Sequence, residues 1–195
     1  MRIKNSKLRI SGAMTHEDHL NLLRGGITEP GVGAERRWAD LGSGTGAFTL
    51  ALADILGPGG EIYSVDRDRS ALREQERAMS SRFPDVTAHY LTADFTRPLD
   101  LPLLDGVVMA NSLHFVREKE QVVRLISSYL KPGGRLILVE YNSDRGNMWV
   151  PHPLSYATWY ELASRCGFAN TRLLATVPSR FLGEIYSAVA QKPGR

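Results

Sequence analysis

The sequence predicts a single α/β domain built on a mostly parallel sheet, and three observations predict it. Trp38 to Phe48, WADLGSGTGAF, joins an apolar strand end to three glycines and an opening helix. Short apolar runs such as VVMA and LILV alternate with amphipathic segments such as EKEQVVRLISSYL, as in sheets covered by helices. Asp40, Asp66 and Asp94 close the first three strand-like segments, at the edge where open α/β sheets take their ligands.

Size and composition agree with one domain. The 195 residues suit one well-buried unit, with 1–35 read as an N-terminal arm carrying a candidate lid helix and 36–191 as the core. Apolar residues make up 43% and charged residues 23%, near the globular average. No apolar stretch has the length of a membrane span, and the basic N-terminus lacks the apolar core of a secretory signal, so a cytoplasmic location is expected. Cys166 is the single cysteine, which excludes an internal disulfide and a multi-cysteine metal site; no metal is expected. Its helix-like setting suits a buried small apolar residue. The formal charge of +3 permits a nucleic-acid partner without requiring one. Arg69, Arg73 and Arg77 share a helical face, but Glu74 and Glu76 lie in the same segment, as on a solvated surface.

Along the chain, residues 1–13 alternate basic and apolar residues and read as a flexible arm or a short edge strand. Thr15, with Asp18 three positions later, caps a short helix that ends at Gly25–Gly26. A turn-rich stretch leads to the first strand at about Arg36. AFTLALADIL is a helix stopped by Gly57 and Pro58, and EIYSVD is the second strand. A helix spans about Ala71 to Arg82, and VTAHYLTADF is a third strand closing at Asp94. DGVVMANSLHF is a buried strand running into a polar turn. The next helix ends at KPGG, and RLILVEYN is the fifth strand. DRGNMWVPHPL is a long aromatic loop on the ligand edge, a candidate substrate wall. SYATWYELASRCGF is a helix, and TRLLATV and EIYSAVAQ are strands joined by a hairpin.

Gly42, Gly44 and Gly46 let the main chain turn sharply and approach a ligand. The same letters satisfy G-x-G-x-x-A, through Gly42, Gly44 and Ala47, so glycines alone leave a dinucleotide open. Asp40 discriminates: a carboxylate there repels a pyrophosphate and pairs with an ammonium, which S-adenosylmethionine has. Asp66 follows the loop by about 20 residues, where a ribose presents its hydroxyls; the alternative is a turn or N-cap role. Asp94 can accept from an adenine amino group, with Phe95 against the ring.

This order of elements resembles the class I S-adenosylmethionine-dependent methyltransferases, over about residues 36–191. WADLGSGTG is similar to that family's first motif, YSVD to its second-strand acid, TADF to its adenine-contact motif, and LKPGGRLILVE to its fifth-strand segment. The resemblance implies a Rossmann-like seven-stranded sheet, order 3-2-1-4-5-7-6, with strand 7 antiparallel and helices on both faces. It assigns Asp40, Gly42, Ser43, Gly44 and Gly46 to the methionyl part, Asp66 to the ribose, Asp94 and Phe95 to the adenine, and Asn111 to main-chain contacts near the methyl donor, with Arg67 a further cofactor-binding residue. ANSLHF replaces the Asn-Pro-Pro-Tyr-like run of amino-methylating nucleic-acid members and is closer to the small-molecule, quinone-biosynthesis-like branch. Asp105 and Asn111 lack the acids of a metal-dependent catechol-type site.

Methyl transfer from a sulfonium needs mainly alignment and desolvation, and a base only where the acceptor loses a proton. His114 is the candidate base, an N-cap or packing role being its alternative; Tyr141, Trp149 and His152 are candidate substrate contacts. His16 and His19 reach the site only if the first helix is a lid. The expected reaction is in-line methyl transfer to a small-molecule acceptor. RNA methylation and a non-catalytic cofactor-binding subunit are the alternatives, and the oligomeric state is open. A nicotinamide-dependent reductase is disfavoured by Asp40, by chain length and by the lack of a Tyr followed four positions later by Lys.

Overall fold

The computed structural model describes residues 14–27 and 36–194. The arm or edge strand expected at residues 1–13 and most of the turn-rich stretch before Arg36 lie outside them. The described residues form, in order, α1 (His16–Arg24), β1 (Arg36–Leu41), α2 (Ala47–Leu56), β2 (Gly60–Asp66), α3 (Arg69–Arg82), β3 (Thr87–Thr92), β4 (Leu104–Ala110), α4 (Lys119–Tyr129), β5 (Leu130–Tyr141), α5 (Tyr156–Arg165), β6 (Ala169–Ser179) and β7 (Gly183–Gln191). A single 3-10 turn, Leu113–Phe115, follows β4.

The seven strands form one sheet in the order β3-β2-β1-β4-β5-β7-β6. β1 pairs in parallel with both β2 and β4, while β7 runs antiparallel between β5 and β6. Strand alternation divides the core between the two faces. Trp38, Ile137, Val139, Ile185 and Val189 pack with α1, α2 and Met79 of α3. Ala39, Leu41, Leu136, Leu138, Tyr186 and Ala188 pack with α4 and α5. Among the described residues, no helix is long and apolar enough to cross a membrane.

Local chemistry sets the element ends. Thr15 accepts from the Asp18 N–H while Asp18 accepts from the Thr15 N–H, the reciprocal cap that starts α1. α1 then buries Leu20, Leu22 and Leu23. His16 meets Asp54 of α2 at 3.0 Å, and His19 lies 4.7 Å from the Phe48 ring. Both histidines therefore engage α2.

Three boundaries depart from the sequence reading. β3 stops at Thr92, so Asp94 lies two residues past the strand, in a turn where it accepts the Thr96 N–H and hydroxyl. α3 begins at Arg69, capped by Asp68. KPGG does not separate helix from strand. β5 begins at Leu130, directly after α4, with Leu130 paired to Leu104 and a register shift before Arg135 pairs with Gly106. Gly133, at φ +79, carries the chain through that irregularity.

Gly106 fixes how closely β4 lies against β1, because a Cβ there would stand 2.3 Å from the Trp38 ring. Gly106→Ala is expected to destabilise the fold by about 1–3 kcal/mol through overpacking, read as a lowered urea midpoint; an unchanged midpoint would refute that tight contact.

Candidate functional site

β1 continues to β2 on one side, and β4 lies on its other side, so the carboxyl ends of β1 and β4 bound the crevice where the strand order reverses. The chain leaves β1 through Gly42 at φ +80, Gly44 at φ +54 and Gly46 at φ +91, backbone angles that side-chain-bearing residues rarely adopt. The N–H groups of Gly42 and Ser43 both donate to the Val65 carbonyl, at 2.8 and 3.1 Å, and the Gly44 N–H donates to Asp66 Oδ2 at 2.8 Å. A Cβ on Gly42 would lie 2.5 Å from that of Ser112, and one on Gly46 would lie 2.3 Å from Gln75, whereas one on Gly44 would meet open space. The loop is thus packed beneath and open above.

A polar layer supports it. Ser64 Oγ lies 2.7 Å from Ser43 Oγ and 3.0 Å from Gln75 Oε1, and Gln75 is fully buried. Ser112 Oγ donates to the Leu41 carbonyl at 2.8 Å, tying the end of β4 to the end of β1.

Asp40 sits under this crevice, 1% exposed. Its Oδ2 accepts from Thr49 Oγ at 2.6 Å, while its Oδ1 is buried without a hydrogen-bond partner. Burial pushes its carboxyl up to about 7, the Thr49 bond opposes that shift, and the charge of Asp66 adds to it. A half-satisfied buried carboxyl is the group that a cation stabilises best. Asp66 has a different role from a free ribose acceptor alone: besides Gly44, it accepts the Asp68 N–H on Oδ1 at 2.8 Å, and the second lone pair of each oxygen remains for a ligand. Arg67 stands exposed, with Nη1 3.9 Å from Asp94 Oδ2. The Thr96 N–H and hydroxyl hold the Asp94 carboxyl below the usual range. Phe95 turns inward, 3.2 Å from where a Gly42 Cβ would be.

Asn111 begins the other half of the site. It takes a left-handed conformation, φ 52, which asparagine tolerates. Its N–H is engaged by the Val139 carbonyl at 2.9 Å, and its Oδ1 is buried without a partner. The expected main-chain contact can thus come only from its carbonyl. The chain then presents His114, 3% exposed, whose Nδ1 lies 2.9 and 3.0 Å from the two oxygens of Glu140. Glu140 is fully buried, and it also accepts the main-chain N–H groups of His114 at 3.1 Å and Tyr141 at 2.8 Å. With Nδ1–H donating to Glu140, Nε2 carries the lone pair of the neutral ring.

Asn111, His114, Tyr141, Trp149, Val150 and Phe181 line a pocket of about 410 Å³. The Tyr141 ring lies 6.0 Å from that of His114 and 5.9 Å from that of Phe181, and burial, then the Glu140 charge, raise its phenol pKa. His152, expected as a substrate contact, is exposed and not part of that lining. Its N–H instead donates to the His114 carbonyl at 3.0 Å. The prolines on either side restrict the backbone there.

Residues 39–136, just over half of the chain, match the family described as Methyltransferase domain. The chain belongs to that family. This methyltransferase domain is 29% identical, over 119 residues, to the ubiquinone/menaquinone biosynthesis C-methyltransferase UbiE of Pseudomonas aeruginosa, a match covering 60% of the chain and 46% of UbiE. It spans about half the length of the curated relatives it matches. The CurJ carbon methyltransferase superposes with a TM-score of 0.69 at 20% identity, covering 85% of this chain and 50% of CurJ. The YcgJ protein of Bacillus subtilis gives 0.70 at 13% identity, covering 92% and 100%. These likenesses establish the sheet order as that of methyltransferase folds.

Sequence reasoning missed Glu140, Gln75, Ser112 and Phe181 in this domain. Gln75 had a signal, since it shares the i, i+4 row of Ala71 and Met79, which are buried. Glu140 had one as well, a lone charge ending the apolar run LILV.

The raised carboxyl of Asp40 has a calculable sign. Its folded value lies above its unfolded one, so the native state holds the proton more tightly. That stability is fully present below about pH 4 and is lost as pH rises to about 7, by about 4 kcal/mol in all. Asp40→Asn should be more stable than the parent at pH 8, with the advantage vanishing near pH 4. Parallel urea unfolding of both proteins reads it, and a difference independent of pH would be evidence against the buried proton.

Proposed function

We propose that this chain is an S-adenosylmethionine-dependent methyltransferase acting on a small-molecule acceptor, at a carbon whose proton is taken by His114. The observation that carries the reading is the buried, unpartnered Oδ1 of Asp40 beside the glycine loop. It calls for a cation and rejects a phosphate, and the neighbouring loop is open at Gly44. The residues thus fit a sulfonium amino acid carried on a nucleoside. Asp40 would hold the ammonium, the second lone pairs of Asp66 the ribose hydroxyls, and Asp94 with Phe95 the adenine. When bound, the cofactor supplies an electrophilic methyl group.

The domain's own residues supply alignment and a base. The pocket walls Tyr141, Trp149 and Phe181 offer apolar surface to an acceptor, and fixing the two reactants can contribute roughly 7–11 kcal/mol. His114 Nε2 would accept the proton that the acceptor carbon releases; the electron pair left on that carbon would take the methyl group from a bound sulfonium, whose sulfur keeps the pair of the broken sulfur–methyl bond as a thioether. Glu140 fixes the ring through Nδ1 and stabilises the imidazolium as it forms. Carbon as the methylated atom is supported by the names of UbiE and CurJ, a C-methyltransferase and a carbon methyltransferase. A pocket of about 410 Å³ with one buried acid-held histidine suits a small molecule. The arginine row on α3 is solvated and interleaved with Glu74 and Glu76, which gives no support to RNA.

Calorimetric titration with S-adenosylmethionine, S-adenosylhomocysteine and NAD tests the cofactor. The first two should bind and NAD should not; binding of NAD alone would overturn the reading. Loss of a charge-assisted bond predicts that Asp40→Asn weakens the first two by about 10- to 100-fold. His114→Gln should keep cofactor affinity while lowering kcat about 10²- to 10⁴-fold, once an acceptor is found by screening. Unimpaired turnover in that variant would remove His114 as the base.

A further inference from the structure

Three separate segments meet at the mouth of the pocket, and each exposes a large apolar side chain. The turn after β4 presents Phe115 at 59% exposure, the β5–α5 loop presents Met148 at 87% and Trp149 at 70%, and the β6–β7 turn presents Phe181 at 46%. Trp149 and Phe181 line the pocket itself, and the Phe115 ring lies tilted, 4.2 Å from the ring of His114, which lines it too. The apolar rim is therefore continuous with the proposed acceptor site.

These side chains are held outward by ordered backbone. Asn147 Oδ1 accepts the N–H groups of Trp149 and Val150, each at 2.9 Å, and Val150 anchors the loop by its burial. Asp144 accepts the N–H and hydroxyl of Ser155, and Asn142 accepts the Tyr156 N–H. Ser179 Oγ accepts the Phe181 N–H at 3.2 Å. A loop free to collapse would bury Met148 and Trp149; this one presents them to the surroundings.

An arginine accompanies each apolar group. Arg117 follows Phe115 by two positions, Arg145 precedes Met148 by three, and Arg180 directly precedes Phe181; all three are exposed. None has a carboxylate within 4.0 Å among the described residues. The neighbouring acids are Asp144 and Glu184, which accept bonds from Ser155 and from Asn142, and Glu118 at the N-cap of α4. Aromatic and sulfur-bearing side chains flanked by arginines suit the boundary between headgroups and acyl chains, where rings sit in the apolar zone and guanidinium groups meet phosphates.

We propose that the pocket mouth is a docking surface for an anionic lipid bilayer. The three arginines face lipid phosphates while Phe115, Met148, Trp149 and Phe181 enter the outermost acyl layer. Resting on the methyltransferase reading of the pocket, this surface also defines an acceptor class: a lipophilic molecule that passes from the bilayer to His114 without crossing water.

Tryptophan emission tests this on the intact protein, because Trp38 and Trp159 are buried at 4% and 0% exposure whereas Trp149 is open. Vesicles of phosphatidylcholine with phosphatidylglycerol should shift the emission to the blue, and brominated acyl chains should quench it. Phosphatidylcholine alone should do so far less. Arg117→Gln, Arg145→Gln and Arg180→Gln should each weaken vesicle binding about fivefold. Phe115→Ser with Met148→Ser should abolish the shift while leaving Trp149 as reporter. S-adenosylhomocysteine titration of every variant checks folding and reads the cofactor site independently, so the two proposals fail separately. No shift with anionic vesicles would overturn the docking surface. A lipid-independent shift that grows with protein concentration would overturn it too, assigning the face to a second copy of the chain.

Discussion

The carboxyl edge of this sheet depends on how closely the chain leaving β1 approaches the chain leaving β4. Gly42 and Ser112 meet at a distance that leaves no room for a Cβ on the former. The Ser112 hydroxyl closes the contact by donating to the Leu41 carbonyl. With the two strand ends locked together, the glycine loop can open only upward, and Asn111 and His114 necessarily emerge beside it. The parallel pairing of β1 with β4 through Trp38, Ala39 and Asp40 sets this approach, and Gly106 under the Trp38 ring permits it.

Two buried carboxylates on this edge are treated in opposite ways. Glu140 has both oxygens engaged, by the His114 ring and by two main-chain N–H groups. Such a group is rigid, and it fixes the ring it holds. Asp40 keeps one oxygen engaged and one bare. The satisfied acid orients a base; the unsatisfied one stores an unfavourable desolvation that a bound cation relieves. Under the proposed reading, that difference would separate the positioning of an acceptor from the capture of a cofactor, and each lies at the end of its own strand.

The helices divide labour in the same way. α2 and α3 stand behind the glycine loop, with Gln75 filling the space under Gly46. α5 and its preceding loop are anchored through Asp144, Asn142 and the His152 N–H, and Trp149 lines the pocket. α1 buries its leucines with α2 and contributes to the core.

The sequence by itself determined the sheet, its strand order by way of resemblance, and the glycine loop at its carboxyl edge. Those features follow from short-range pattern: period-two and period-3.6 burial, three glycines in a row of five, and acids at strand ends. It also named His114, Tyr141 and Trp149, which the fold brings to one pocket. Only the tertiary structure decided what each group touches. Glu140 lies 26 residues from His114 and Gln75 lies 11 from Ser64, and no local pattern encodes such meetings. Asp94 slid past its strand, Asp66 was drawn into bracing the loop, and His152 turned outward. For both aspartates the hydrogen-bonding needs of nearby backbone N–H groups, which are set by the packed chain, determined where the side chain came to rest.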